Sequence, residues 1–472
     1  MISSKAQIAK YVLCDYVTSN IAWLLFNIGR FYMPTVESGY IELSRFLLSA
    51  NVLWGQLYIP MIMMAVYYLS GYYNQAFFKS RLHELLLTVV SVMVNTLFLF
   101  FAALINDISP LRTENYELLL LLFTIQFVCV YSGRIAITAD ATTKIHSRKW
   151  EFNTLVVGCG RQAAKLMNDL KNRKESLGYH IVGYIDIGEG GCSRLLDAPV
   201  YPDNDLQTLC DELDVKEIIV SLDDNNHTRL NNVVNKLFPL NRPIKIQNDN
   251  FYRLLGRVRL SNILGTPFVD VCTCAISEGE KNIKRLSDII VSAIALLIIS
   301  PLIAILAILI KRDSKGPVFY SQERIGYHHK PFKLYKLRTM YVDAESDGQP
   351  RLSSPNDRRI TNIGKILRKY RLDELPQFWN VLKGDMSIVG PRPEREYYIQ
   401  KIMEKAPYYT LMYQIRPGIT SWGMVKYGYA RNIDEMIQRL QYDIIYLENM
   451  SLLVDLKIII YTIRTVLSGR GM

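Results

Sequence analysis

Cysteine is scarce and unpatterned in this chain: seven in 472 residues, an odd number, with no Cys-x-x-Cys spacing and none after Cys274. Cys272 and Cys274 form a Cys-x-Cys with no partner pair to complete a metal site, so all seven are expected as reduced thiols and the water-facing parts as cytoplasmic. Charged residues are also few, 21% against 50% apolar, which excludes intrinsic disorder and collagen-like or mucin-like chains. No nucleic-acid reader motif occurs, so nucleic acid is not an expected partner. No short apolar core with a small-residue cleavage site follows the start, so no cleavable leader is expected.

Where charge is missing altogether, the chain is expected to sit in lipid. No charged residue lies between Arg45 and Lys79 or between Glu84 and Asp107, and each run exceeds the roughly 20 residues that cross a bilayer. Weaker runs at Tyr16 to Ile28 and Leu118 to Gly133 flank them, giving four helices within residues 1–140. Lys5 and Lys10, then Lys79 and Arg81, then Lys144, Arg148 and Lys149 lie on one side of these spans. The positive-inside bias puts both ends of the region in the cytoplasm. Asp15 is read as lying near the cytoplasmic end and snorkelling to water, because a carboxylate at a helix centre costs roughly 2.5 to 3.5 kcal/mol.

The next stretch reads as strand, glycine turn and helix. Thr154 to Val157 is apolar and β-branched, Gly158-Cys159-Gly160-Arg161-Gln162-Ala163 follows, and Ala164, Leu166, Met167 and Leu170 continue with helical spacing. Further strands are expected at 180–187, 217–221 and 243–247, as in an open parallel sheet. Residues 151–275 are therefore expected to form a Rossmann-like α/β domain. Gly158 and Gly160 either let a pyrophosphate approach the helix N-terminus, with Asp186 on a ribose hydroxyl, or merely close a tight turn.

The net charge of +11 belongs to the remainder. Residues 281–472 hold 30 Lys+Arg against 18 Asp+Glu, and residues 1–280 hold 25 against 26. A basic patch suits nucleic acid, an anionic membrane surface or a phosphate-bearing substrate. At its start, Lys284 and Arg285 precede a run without charge from Ile289 to Ile310, with Ser300-Pro301 at its middle. A mid-helix proline removes one backbone hydrogen bond and bends the chain. The Ser300 hydroxyl can satisfy a freed carbonyl. Basic flanks at both ends favour a helix-break-helix over 285–311 that enters from the cytoplasmic face and returns to it.

Downstream, in RKYRLDELP, Asp373 and Glu374 are expected in the first turn of a helix that runs on through Leu382. Arg368 and Arg371 add cations just upstream. Adjacent acids among arginines suit phosphoryl transfer with a divalent metal, one carboxylate attacking phosphorus while cations neutralise its oxygens. The same acids can equally cap a helix and pair with neighbouring bases.

The run LDELPQFWNVLKGDMSIVGPRP, with YKLRTM at 335–340 and RPGIT at 416–420, resembles the bacterial monotopic phosphoglycosyl transferases, also called polyprenyl glycosylphosphotransferases or sugar transferases. Four spans and a Rossmann-like (CoA-binding-like) domain ahead of it resemble the large form, the undecaprenyl-phosphate glucose and galactose phosphotransferases. The resemblance implies a membrane α-helical region (1–150), the Rossmann-like domain (151–275) and a monotopic α/β catalytic domain (276–472) carrying the re-entrant helix. It implies transfer of a hexose-1-phosphate from a UDP-sugar, glucose or galactose, to undecaprenyl phosphate with release of UMP. That reaction would be the first membrane step of exopolysaccharide, capsule or O-antigen synthesis, at the cytoplasmic face of the inner membrane.

In that family the mechanism is ping-pong. Asp373 matches the nucleophile and Glu374 the acid beside it at the Mg2+ site. Arg368 and Arg392 match phosphate contacts, and Lys336, Arg338 and Thr339 a motif near the site. Lys284 and Arg285 match the basic pair at the membrane, and Ser300-Pro301 the break. Implied partners are undecaprenyl phosphate, a UDP-sugar, membrane lipids and, as an open alternative, a second copy of the chain in a homo-oligomer. This sequence departs from the family at Asn356-Asp357-Arg358-Arg359 and in GMVKYGYARN after Trp422, which leaves sugar specificity open. Two competing functions are a membrane-anchored nucleotide-sugar dehydratase, for which 151–275 is short, and a non-catalytic scaffold of polysaccharide assembly.

Overall fold

The computed structural model describes residues 4–33, 42–74, 77, 79, 81–103, 112–188, 192, 196–223, 227–240, 242–247, 259–260, 268–270, 276–342, 344 and 357–467. Contacts divide the chain into two units, 1–151 with 174–178 and 277–283, and 152–173 with 179–276 and 284–472.

The first unit is helical: α1 (Ser4–Phe31), α2 (Leu43–Leu47), α3 (Ala50–Leu69), α4 (Arg81–Ala103) and α5 (Arg112–His146). By length and composition α3, α4 and α5 suffice to cross a membrane; α1 runs alongside α5. Asp15 corrects the sequence expectation. It is fully buried rather than snorkelled, and Arg134, equally buried, meets it with Nη2 at 2.7 Å and Nε at 2.9 Å. Tyr73 donates to the same carboxylate at 2.8 Å, and Arg134 Nη1 donates to Thr88 at 3.0 Å. The helix answers an isolated charge by pairing it, because an unpaired buried carboxylate costs more than a satisfied one.

The second unit opens with a seven-stranded sheet in the order β3-β2-β1-β4-β5-β7-β6. Its elements are β1 (Phe152–Val157), α6 (Arg161–Lys171), β2 (Tyr179–Asp186), β3 (Val200–Pro202), α7 (Leu206–Glu212), β4 (Glu217–Val220), α8 (His227–Leu237), β5 (Ile244–Gln247), β6 (Arg259–Leu260) and β7 (Phe268–Asp270). β1 to β5 pair in parallel, whereas β7 runs antiparallel to β5 and β6. Leu155, Val157, Ile185, Ile218 and Val220 fill the core beneath the helices, the near-continuous apolar strands of a sheet covered on its faces.

This sheet overturns the reduced-thiol expectation at one place. The chain leaves β1 and β2 at the same edge, and Cys159 is there bonded to Cys192 in a disulfide. Cys14, Cys129 and Cys210 are free; Cys272 and Cys274 lie outside the described residues.

Next comes α9 (Glu278–Asp313), apolar enough to cross a membrane. Its helical turns continue through Pro301, so the two halves expected from the sequence are joined within one helix and not by a non-helical break. Ser300 Oγ donates to the Leu297 carbonyl at 2.9 Å, the acceptor four residues back that proline leaves without a partner. The middle of the helix turns Ile290, Ile294, Leu297 and Ile298 outward.

The C-terminal third holds β8 (Phe319–Ile325) and β9 (Pro331–Leu337) as a hairpin, α10 (Asn362–Lys369), α11 (Gln377–Lys383), β10 (Ser387–Val389), α12 (Glu396–Lys405), β11 (Gly418–Thr420), α13 (Trp422–Lys426), α14 (Ile433–Glu448) and α15 (Leu452–Leu467). Its core gathers Ile399, Ile402, Tyr413, Leu440, Leu447 and Ile458.

Candidate active site at Asp373 and Glu374

Asp373 and Glu374 do not lie in the first turn of α11. They occupy a short 3-10 turn, Leu372–Glu374, and α11 starts only after Pro376. Arg371 enters that turn with φ +53°, a left-handed conformation that reverses the chain after α10. Asn380 locks α11 to the hairpin, donating to the Lys333 carbonyl at 2.7 Å and accepting the Tyr335 N–H at 3.1 Å. The turn is thereby held against β9, which brings Lys336.

The two acids are treated differently. Glu374 Oε1 receives Lys336 Nζ at 2.9 Å and Arg392 Nη2 at 3.1 Å, and Arg371 stands 3.8 Å from Oε2. Asp373 has only Lys336, 3.8 Å away, and accepts no hydrogen bond among the described residues. Burial pushes both carboxyls up. At Glu374, Lys336, Arg392 and Arg371 outweigh burial and hold it well below the usual carboxylate range. At Asp373 burial prevails: Lys336 draws the carboxyl down, the charge on Glu374 pushes it back up, and it stays raised.

Arg368 is the fourth cation, its Nε donating to Thr339 Oγ1 at 2.9 Å. Tyr429 lays its ring 5.1 Å from the Arg371 guanidinium and 5.6 Å from that of Arg392. Four cations around two acids leave a net positive pocket, which suits a phosphate-bearing ligand. For a divalent cation the donors are the two adjacent carboxylates; among the described residues no third acid, histidine or thiol joins them. That set fits Mg2+ as it is usually held, by one or two carboxylates together with substrate phosphates and waters.

The structure thus brings together Asp373, Glu374, Lys336, Arg368 and Arg392, with Thr339 positioning Arg368. Arg338 is directed elsewhere: it donates to the carbonyls of Lys315 and Ser314 at 2.5 and 2.8 Å, capping the end of α9. Lys284 and Arg285 are likewise turned into the protein. Lys284 bonds Asp455 at 2.5 Å and the Val389 carbonyl at 3.0 Å, and Arg285 bonds the Val381 carbonyl at 2.7 Å. Asp288 accepts Ser387 Oγ and the Ile388 N–H at 2.7 and 3.1 Å.

Sequence reasoning missed the buried supports. Glu394, two residues after Arg392, accepts Arg439 at 2.6 Å and Arg324 at 3.3 Å, fixing the loop that carries Arg392. The only local signal was an acid inside an otherwise basic motif.

At the glycine turn the structure supports the tight-turn alternative. Asp223 places its carboxylate on the N-terminus of α6, accepting the N–H groups of Arg161 and Gln162, each at 2.7 Å. A Cβ on Gly160 would stand 2.1 Å from Asp223 Oδ2, so this glycine serves an internal carboxylate where a pyrophosphate would sit. Asp186 accepts the Gly188 N–H at 2.8 Å.

Residues 279–469 match the bacterial sugar transferase family. The chain is 43% identical over 189 residues to a UDP-N-acetylgalactosamine-undecaprenyl-phosphate N-acetylgalactosaminephosphotransferase of Aeromonas hydrophila, covering 40% of this chain and 44% of that one. It is 32% identical over 304 residues to a UDP-glucose:undecaprenyl-phosphate glucose-1-phosphate transferase of Escherichia coli K12, covering 63% and 64%. With an enzyme of the same name from Caulobacter vibrioides it shares 38% over 187 residues, 39% of this chain and 70% of that one. The chain belongs to the bacterial sugar transferase family, the polyprenyl glycosylphosphotransferases. It spans less than two thirds of the Aeromonas and Escherichia relatives.

Proposed function

We propose that this protein transfers a sugar-1-phosphate from a UDP-sugar to undecaprenyl phosphate, releasing UMP, through a covalent intermediate on Asp373. The observation that carries the reading is the asymmetry of the acid pair. Glu374 is bound by three cations, while Asp373, 3.8 Å from Lys336, accepts no hydrogen bond among the described residues in a buried, positively charged pocket. An Asp373 oxygen attacks the phosphorus that bears the sugar, the bond from that phosphorus to UMP breaks, and UMP leaves. Arg392, Arg368 and Lys336 neutralise the phosphoryl oxygens. The phosphate of undecaprenyl phosphate then displaces Asp373, giving the lipid diphosphate sugar that starts a surface glycan. Asp373 and Glu374 would hold Mg2+, which supplies further neutralisation of the diphosphate.

On this reading α9 is re-entrant, and residues 151–275 form a Rossmann-like domain that, like the catalytic third, faces the cytoplasm. Support for re-entry comes from both ends of α9. Arg285 and Asp288 bond to residues 381–388, while Asp313 accepts the Ile363 N–H at 3.0 Å and Arg338 caps Ser314. A helix crossing the bilayer would carry its ends to opposite faces, yet these ends hold one domain. A cysteine introduced at the exposed Lys330 should react with an impermeant maleimide only after the inner membrane is opened. Labelling of intact spheroplasts would sink the re-entrant reading.

The transferase itself is tested by UMP release in nanodiscs with undecaprenyl phosphate, Mg2+ and a panel of UDP-hexoses and UDP-N-acetylhexosamines. Release with one sugar, absent without lipid and with Asp373→Asn, is expected. Release that survives Asp373→Asn would refute the covalent role. No release with any donor would favour the scaffold reading.

A further inference from the structure

Cys159, Cys192 and Asp186 meet at the edge of the parallel sheet where β1 and β2 end, with their ligand atoms all within 4.8 Å of one another. Cys159 is fully buried between the two glycines of the turn, and Cys192 is half-buried. The catalytic chemistry uses none of the three. At the neighbouring α6 N-terminus the Arg161 and Gln162 N–H groups are taken by the Asp223 carboxylate.

We propose that, in the dithiol state, Cys159, Cys192 and Asp186 bind one zinc-class divalent cation. Two thiolates and a carboxylate are a soft donor set for Zn2+, and donors around one tetrahedral ion stand roughly 3.3 to 3.8 Å apart. Reduction parts the two bonded sulfurs toward that spacing, and the Asp186 carboxylate already lies within 4.8 Å of both. Two thiolates from a cytoplasmic chain point to metal binding more readily than to a permanent bridge. The site has two states. A dithiol reductant transfers two electrons and two protons to the Cys159–Cys192 disulfide and is itself oxidised to a disulfide. The cation then displaces the two thiol protons, and water completes its coordination. The metal ties the glycine turn after β1 to the segment after β2, as the disulfide does in the oxidised chain.

The test uses the full-length protein in micelles, reduced anaerobically, with Cys272 and Cys274 changed to Ser so that the Cys-x-Cys contributes nothing. Titration with Co2+ alone should give a thiolate charge-transfer band saturating at one equivalent, which one equivalent of Zn2+ abolishes. Cys159→Ser and Cys192→Ala should each lose the band while releasing UMP at the parent rate, which shows that both remain folded. Asp186→Asn should keep the band and weaken binding about tenfold or more. No band in the parent protein, or a band that survives either cysteine change, overturns the site; unchanged affinity in Asp186→Asn overturns the three-ligand set.

Discussion

Lys336 Nζ stands 2.9 Å from Glu374 Oε1 and 3.8 Å from Asp373 Oδ2, so one ammonium group hydrogen-bonds one of two adjacent acids and only pairs at longer range with the other. On the proposed reading this inequality divides the labour: Glu374 holds the cations in place and Asp373 is the acid left to meet the substrate.

Glu374→Gln and Asp373→Asn should therefore differ in stability although both abolish turnover. Neutralising Glu374 leaves Lys336, Arg392 and Arg371 facing one another, and removing one partner of a buried ion pair costs about 3 to 5 kcal/mol. Asp373→Asn removes a charge that burial already disfavours. Thermal unfolding in micelles should show Glu374→Gln melting several degrees lower and Asp373→Asn at or above the parent. Equal losses would contradict the asymmetry.

On the proposed mechanism the acid limb of the pH–rate profile should report Asp373. The attacking form is the carboxylate and its pKa is raised by burial, so UMP release should fall as pH drops through an inflection above the ordinary aspartate range. Lys336 is the main group drawing that pKa down, so Lys336→Met should move the limb to higher pH. A limb that stays put in Lys336→Met assigns it to another group.

Arg338→Met should weaken the fold and spare donor binding, because its guanidinium caps carbonyls at the end of α9. A charged hydrogen bond of this kind is worth about 1.5 to 3 kcal/mol. Arg392→Met should do the reverse in kinetics, raising KM for the UDP-sugar at least tenfold. Steady-state kinetics beside thermal unfolding separate the two, and a tenfold KM change in Arg338→Met would return that residue to the phosphate site.

In the helical unit, Arg134→Leu should cost more than the double change with Asp15→Asn. The single variant strands a carboxylate that Arg134 and Tyr73 now satisfy, and the double variant removes the stranded charge. Detergent-solubilised yield and melting temperature should recover by at least half in the double variant. No recovery would show that the residues act independently.

Much of this molecule is legible in the chain. The helices expected at residues 1–140 and the strands near 154, 180, 217 and 243 all occur where spacing and hydropathy put them. Charge pairing is what the chain concealed. Asp15 and Arg134 are 119 residues apart, and an ionisable residue in an apolar helix reads alike whether it reaches for water or for a distant partner. Gly160 and Asp223 show the same limit, since a glycine that makes room for an internal carboxylate has the spacing of one that makes room for a phosphate. Pro376 moved the start of α11 past the two acids, because the turn formed around Arg371 and the hairpin contact of Asn380 outweighed the local helix signal.

The sequence by itself determined which segments are apolar enough for lipid, which strands and helices form, and that acids and arginines cluster in one motif. Periodicity, proline position and residue type act over neighbouring residues and survive in one dimension. The tertiary structure alone decided which acid the cations hold more closely, that Arg338, Lys284 and Arg285 serve α9 rather than a ligand, and that Cys159 meets Cys192. Those outcomes depend on distances of a few ångströms between residues remote in the chain, where burial strips water away and every charge must find its partner in the fold.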